Sequence, residues 1–184
     1  MTEARTSQTK PRRNALLRRF VKGEDGATVV EFALVSLPFF LMLMATIEIT
    51  ISFFATIQLE NGLENVARQI RTGQVQTANM TAAQFKTMLC SNVAPLISCD
   101  ANLYVDVRRF DSFNNVAQPS PLDGTGHINM AFQFDPGVSG SIVLARAFYV
   151  WHVNTPIISA FLSNMAGSDK LIGAAQIFRN EPWS

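Results

Sequence analysis

Residues 27–47 (ATVVEFALVSLPFFLMLMATI) form an apolar run of 21 residues in which Glu31 is the only charged side chain. An α-helix of that length, at 1.5 Å per residue, is about 31 Å long and matches the roughly 30 Å core of a bilayer. The pattern therefore predicts a membrane-spanning helix that begins at Ala27 and ends at Ile47. Pro38 removes one backbone donor inside this helix and predicts a kink or local unwinding there.

After Ile47 the apolar pattern narrows to one helix face without a stop signal. Apolar residues recur at i, i+4, i+7, i+8 and i+11, which is typical of an amphipathic helix; they are Leu59, Leu63, Val66, Ala67 and Ile70. The helix is expected to continue to about residue 72, where Gly73 can cap it. Glu48, at the outer end of the span, is interpreted as an interfacial residue that reaches the lipid headgroups.

Residues 73–184 are expected to fold outside the membrane. The spacing of Thr81 and Gln84 predicts a capping box that opens a short helix to about residue 91. Alternating patterns rich in β-branched or aromatic residues predict three strands, and Pro156 predicts a further helix, followed by a last strand. The predicted strands are 102–110, 128–135, 142–153 and 170–178, and the further helix is 156–164.

This order of elements indicates an α+β fold: a long helix, a short helix, and then a mainly antiparallel sheet with one helical insertion. The connections are too short for repeated βαβ crossovers. The predicted organisation is a basic leader over residues 1–26, the membrane helix over 27–47, and an extracytoplasmic domain over 73–184.

Charge sets the predicted orientation of the membrane helix. Residues 1–26 hold seven basic and three acidic side chains, whereas the other 158 residues carry 8 basic and 11 acidic ones. By the positive-inside rule, the amino terminus is expected in the cytoplasm and the bulk of the chain outside. A cleaved secretory signal is the nearest alternative, but its apolar core is normally about 7–15 residues long. The net charge of +1 suggests no nucleic-acid partner.

Cys90 and Cys99 are the only cysteines. The predicted topology places both in an oxidising compartment if the cell is a typical diderm bacterium, where a disulfide is the simplest interpretation. Their C-x8-C spacing lacks partner histidines for structural zinc, and a redox pair is more usually C-x-x-C. The sequence predicts neither a metal ion nor a cofactor.

Few residues suggest catalysis. His127 follows Gly126 in a predicted turn, and His152 lies in a predicted strand, where a core or partly exposed imidazole is the simpler interpretation. No common hydrolase or phosphate-binding motif is present, and the chain is predicted not to be an enzyme. Five aromatic side chains are expected in the core, with an exposed partner surface as the alternative: Phe132, Phe134, Phe148, Phe161 and Phe178.

The start of the span contains an unusual charge. Gly26 stands immediately before Ala27, and Glu31 is the fifth residue after the glycine. A carboxylate near the start of a membrane helix is costly unless it reaches the interface or finds a partner. Cleavage after Gly26 would create an ammonium group at Ala27 that Glu31 of a neighbouring copy could neutralise.

This arrangement resembles the class-III signal of type IV pilins and pseudopilins: a basic leader ending in Gly26, then Glu31, the aromatic Phe32, and a long apolar helix. The run GATVVEFALVSLPFFLMLMATIEI with Pro38, together with RNEPW at residues 179–183, is most similar to the TadE/TadG-like pseudopilins of tight-adherence (Flp) pilus systems. The length of 184 residues fits the TadE size class.

The resemblance implies a minor pseudopilin or assembly component, with Gly26 before the cut and Ala27 as the mature amino terminus. It implies as partners the inner membrane, a prepilin peptidase, other pilus subunits and the inner-membrane assembly platform, with the C-terminal domain in the periplasm. The alternative is an uncleaved bitopic envelope protein whose periplasmic domain binds a partner. Arg179 to Trp183 have no role that the sequence assigns.

Overall fold

The computed structural model describes residues 24–93, 97–99, 101–129 and 131–183. The predicted leader, residues 1–26, therefore lies outside the described residues except for its last three. The chain divides into two compact units, Met1–Met44 and Ala45–Ser184. The second unit contains the C-terminal half of the first helix together with all of the later elements.

Helix α1 spans Glu24–Arg71 and confirms the predicted long helix. Its assignment is continuous through Pro38, so the helix does not unwind there, and the kink that was the other expectation stays a prediction. A helix can continue past a proline because the missing N–H removes only one backbone hydrogen bond. At the other end, Gly73 adopts the left-handed conformation at φ 81° and donates its N–H to the carbonyl of Ile70 at 3.0 Å, as its role as a cap requires.

Two shorter helices follow, α2 at Gln74–Thr77 and α3 at Ala82–Val93. Helix α2 was not expected from the sequence. Helix α3 begins with the predicted capping box: the Thr81 N–H donates to Gln84 Oε1 at 2.8 Å, and the Gln84 N–H donates to Thr81 Oγ1 at 3.3 Å. The two side chains satisfy backbone groups at the start of α3 that have no partner within the helix.

The sheet has three antiparallel strands in the order β1-β2-β3: β1 is Leu103–Phe110, β2 is Ile142–His152 and β3 is Asp169–Arg179. Between β2 and β3 lies helix α4, Pro156–Leu162. In register, Leu103 faces Tyr149 and His152 faces Asp169. Three of the four predicted strands, the helical insertion and the α+β arrangement are thus confirmed.

The strand predicted over residues 128–135 is wrong. In the described part of this segment, pairing is limited to isolated bridges, of which one joins Phe134 to Val107 of β1. The ring of Phe132 stacks on Phe148 with centroids 5.8 Å apart, whereas the Phe134 ring meets Phe85 of α3 at 5.4 Å. Phe148 and Phe85 lie on opposite sides of the sheet, but a regular strand would direct residues two apart to the same side.

The core of the second unit lies between α1, α3 and one face of the sheet. The five apolar residues of the predicted amphipathic face of α1 are all buried, with at most 4% of their surface exposed: Leu59, Leu63, Val66, Ala67 and Ile70. Gly62 allows α3 to approach α1 closely, because a Cβ at this position would overlap the Val93 side chain. The apolar residues that recur along one face of the C-terminal half of α1 are therefore the ones that pack in the core with the sheet.

The expectation that five phenylalanines fill the core is met only in part. Phe148 is buried and Phe134 and Phe178 pack partly against the core, but Phe161 of α4 is 87% exposed. Helix α4 is only seven residues long, so it can bury one side and leave the other uncovered. The prediction for Phe161 is therefore wrong.

Candidate functional site

The predicted processing site lies in the first turns of α1, within the first unit. Gly26 is partly exposed, Ala27 and Glu31 are exposed, and the Phe32 side chain is 72% exposed. The described part of the helix includes the peptide bond between Gly26 and Ala27.

The surface of α1 over residues 29–54 is largely apolar and uncovered. The helix is long and apolar enough to cross a membrane. Side chains that are at least half exposed include Val29, Leu34, Val35, Leu37, Phe39, Phe40, Met42, Met44, Phe53 and Phe54. A monomeric soluble protein rarely exposes an apolar surface of this extent, so the surface requires lipid or protein neighbours.

Glu48 joins α1 to the loop after β2, inside the second unit. Its Oε1 accepts the Asn154 N–H at 2.6 Å, its Oε2 accepts the Thr155 N–H at 3.1 Å, and the residue is only 8% exposed. The Glu48 side chain therefore does not reach out to the headgroups as expected, and its interfacial position stays a prediction. Its carboxylate points into the protein, where it satisfies two backbone donors that would otherwise lack an acceptor.

A second polar contact lies one helical turn further along α1. Lys170 of β3 donates from Nζ to the Oγ of the fully buried Ser52 at 3.1 Å. Glu48 and Ser52 are four residues apart and thus share one face of the helix. The contacts of Glu48 and Ser52 could not be predicted from the sequence, because their partners are 106 to 118 residues away in the chain and carry no local motif.

The C-terminal segment, Arg179 to Trp183, packs against the C-terminal end of α1. The Glu181 N–H donates to the Arg71 carbonyl at 2.9 Å, and the Glu181 carboxylate lies 3.1 Å from Arg71 Nε. The Trp183 ring packs directly on Gly73, where a Cβ would come within 2.6 Å of the indole. The segment thus satisfies an orphan carbonyl at the helix end and covers the cap.

Asn180, within the same segment, is 2% exposed. Its Nδ2 donates to the carbonyls of Pro136 and Val138 at 3.0 and 3.1 Å, and its N–H donates to Ser141 O at 2.8 Å. This residue ties the C-terminal segment to the loop before β2. The RNEPW sequence therefore has a structural role in the second unit.

On the opposite side of the sheet, Asp106 forms a buried charged cluster with two arginines. Arg146 donates to its carboxylate from Nε at 3.1 Å, Arg108 from Nε at 3.0 Å, and the Gln133 N–H at 2.9 Å. Burial alone would raise the pKa of Asp106, but the hydrogen bonds from Arg146, Gln133 and Arg108 outweigh it and hold the pKa below its usual value. The cluster ties the segment that contains Ala131 and Gln133 to the sheet.

The cysteines and histidines make contacts of their own. Cys90 of α3 and Cys99 form a disulfide, with their Cα atoms 5.6 Å apart. His152 is exposed, and its Nδ1 lies 2.6 Å from Asp169 Oδ1 across the β2–β3 pair. His127 lies in an exposed turn in which its N–H donates to Asp123 Oδ1 at 3.0 Å. In the part of the chain that the structure describes, no three His, Cys, Asp or Glu side chains come together as metal ligands.

Comparison with known proteins identifies one region. Residues 26–68 match the family model described as TadE-like protein, which confirms the resemblance drawn from the sequence. The match covers α1 from Gly26 almost to its C-terminal end. No curated protein and no solved structure matches the chain. The TadE-like match supports involvement in tight-adherence pilus assembly.

Proposed function

We propose that this protein is a minor pseudopilin or assembly component of a tight-adherence pilus, anchored in the bacterial inner membrane by α1. A prepilin peptidase cuts after Gly26, and Ala27 becomes the mature amino terminus. The observation that carries the proposal is the extent of the family match, which begins at Gly26, the residue before the proposed cut.

The accessibility of the first turn of α1 supports the processing step. Ala27 is exposed and Gly26 is partly exposed in the part of the chain that the structure describes. The exposed Glu31 is then one turn from the new ammonium group. In the assembled state, Glu31 of one copy neutralises Ala27 of another, which removes two isolated charges from lipid at once.

The orientation follows from the leader. Seven basic residues precede the span, so the amino terminus stays in the cytoplasm and the second unit folds in the periplasm. The Cys90–Cys99 disulfide supports this placement, since disulfides persist in oxidising compartments. The periplasmic domain meets other pilus subunits and the assembly platform in the inner membrane.

The Gly26→Ala variant tests processing directly. We expect its intact mass in host membranes to exceed that of the mature wild-type protein by roughly 3 kDa, the share of 26 residues in 20.3 kDa for 184. Gly23→Ala, three residues earlier, is the matched control and should be processed normally. Normal cleavage of Gly26→Ala would remove the peptidase step and favour the uncleaved bitopic protein.

A further inference from the structure

The connection between β2 and β3 is unusual in composition. Residues 153–168 (VNTPIISAFLSNMAGS) contain no charged side chain and no histidine over 16 residues. Helix α4 forms the middle of this connection. Phe161 on α4 is 87% exposed, the highest value among the large hydrophobic side chains of the described residues. An uncharged connection that presents one exposed aromatic ring is suited to an apolar environment.

The contacts of this connection fix its level along α1. Asn154 and Thr155, immediately before α4, donate to Glu48, and Lys170, just after the connection, donates to Ser52. Glu48 directly follows the predicted end of the membrane span at residue 47. At 1.5 Å per residue, these contacts lie within about 8 Å of that end along the helix.

That level corresponds to the headgroup layer. A bilayer has a hydrocarbon core about 30 Å thick and a total thickness of about 40–45 Å, which leaves about 5–8 Å of headgroups on each side. The apolar surface of α1 also continues past the span, since Phe53, Phe54 and Ile57 are exposed and the first charge after them is Glu60. The exposed surface of α1 near the level of these contacts is therefore still apolar.

From this placement, we infer that residues 153–168 form a second membrane contact, in which Phe161 inserts into the outer-leaflet interface of the membrane that α1 spans. The occupant is a lipid surface. The inference rests on the proposed membrane span. The segment can enter the interface cheaply because it has no charge to desolvate, and its aromatic ring gains apolar burial there. Contact at both α1 and α4 would fix the tilt of the periplasmic domain over the bilayer.

Photo-crosslinking of the full chain in phosphatidylcholine–phosphatidylglycerol vesicles tests this inference. A photoreactive benzoylphenylalanine replaces Phe161, and mass spectrometry identifies what it attaches to. Phe113 is the matched control: it is 55% exposed and follows Phe110, which faces Ile142 at the end of the sheet remote from His152. Phe40, 55% exposed within the predicted span, reports on the span itself.

We expect lipid adducts at positions 161 and 40 and none at position 113. Adducts at position 40 without any at 161 would overturn the inference and leave the membrane anchor intact. Attachment of position 161 to a second protein chain, or equal lipid labelling at 113 and 161, would also overturn it. Absence of lipid adducts at both 40 and 161 would remove the span, and with it the proposed function.

Discussion

Glu48 of α1 accepts the backbone N–H of Asn154 at 2.6 Å, although 106 residues separate the two in the chain. The contact joins the point where the predicted membrane span ends to the loop that leads into α4. A carboxylate at this position satisfies two N–H groups without requiring a complementary side chain. Glu48 thus joins α1 to the loop before α4 within the second unit.

Replacement of Glu48 by alanine should destabilise the second unit. The Asn154 and Thr155 N–H groups would lose their acceptor, at a cost of about 1–3 kcal/mol for a buried unsatisfied donor. Guanidinium unfolding of the full chain in non-ionic detergent, followed by Trp151 fluorescence, measures the loss. Glu48→Gln should lose less because it keeps one acceptor oxygen. The exposed Glu60→Ala is the control, and equal stability of Glu48→Ala and Glu60→Ala would contradict this role of Glu48.

The Asp106 cluster predicts an acid-sensitive contribution to stability. The pKa of Asp106 is lowered in the folded protein from its ordinary value of 3.8. Its contribution is therefore complete above that value and is lost as pH falls through the lower, folded-state pKa. Asp106→Asn should reduce the free energy of unfolding at neutral pH by about 3–5 kcal/mol, since it leaves buried arginines unpaired.

The pH dependence distinguishes this charge effect from a packing defect. The stability difference between wild type and Asp106→Asn should shrink as the pH is lowered from about 6 to about 2, because the wild-type carboxylate becomes protonated. The exposed Asp111→Asn variant should follow the wild-type curve. A difference that stays constant over this range would show that the carboxylate charge contributes nothing.

The contact between Gly73 and Trp183 predicts a graded effect of two glycine substitutions. Gly73 (φ +81°) and Gly167 (φ +88°) both adopt the left-handed conformation, but only Gly73 lies against an indole. Gly167→Ala should cost about 1–2 kcal/mol for the backbone alone. Gly73→Ala should lower the free energy of unfolding by more than Gly167→Ala does. Adding Trp183→Ala to the Gly73→Ala variant should remove that additional loss. Equal losses of unfolding free energy for the two glycine variants would mean that Trp183 of the C-terminal segment does not pack tightly against Gly73.

Glu31 is predicted to act in assembly and not in insertion. Glu31→Ala removes a charge from lipid, so the amount of protein in the membrane fraction should be unchanged or higher. Pilus yield sheared from cells should fall, because the ammonium group at Ala27 of a neighbouring copy loses its partner. Glu31→Asp keeps the charge on a shorter side chain and should retain part of the yield. Unchanged pilus production in Glu31→Ala would exclude the pairing of subunits through this residue.

Local patterns made much of the fold predictable. The amphipathic face of α1, the Thr81–Gln84 capping box and the left-handed Gly73 each depend on residues close in sequence, and the structure contains all three. The strand prediction for residues 128–135 was wrong because an alternating apolar pattern does not reveal whether neighbouring aromatic rings pack on one side of a sheet or on both. Phe132 and Phe134 pack on opposite sides, and Asp106 holds the backbone at Gln133 between them.

The site was less predictable than the fold. Gly26, Glu31 and Phe32 could be proposed because their spacing is a local signal; the TadE-like match spans all three, and their role in processing stays a prediction. The environment of Glu48 and the contacts of Arg179 to Trp183 could not, because both depend on backbone groups distant in sequence. A backbone N–H leaves no trace in the residue type that carries it, so neither contact has a sequence signature.

The central claim is that the mature protein begins at Ala27. Intact mass and amino-terminal sequencing of the protein purified from membranes of its own host measure this directly. We expect a chain that starts at Ala27, with or without methylation of the new amino group. A chain that starts at Met1 or Thr2 would contradict processing and leave a permanently anchored envelope protein whose periplasmic domain binds a partner.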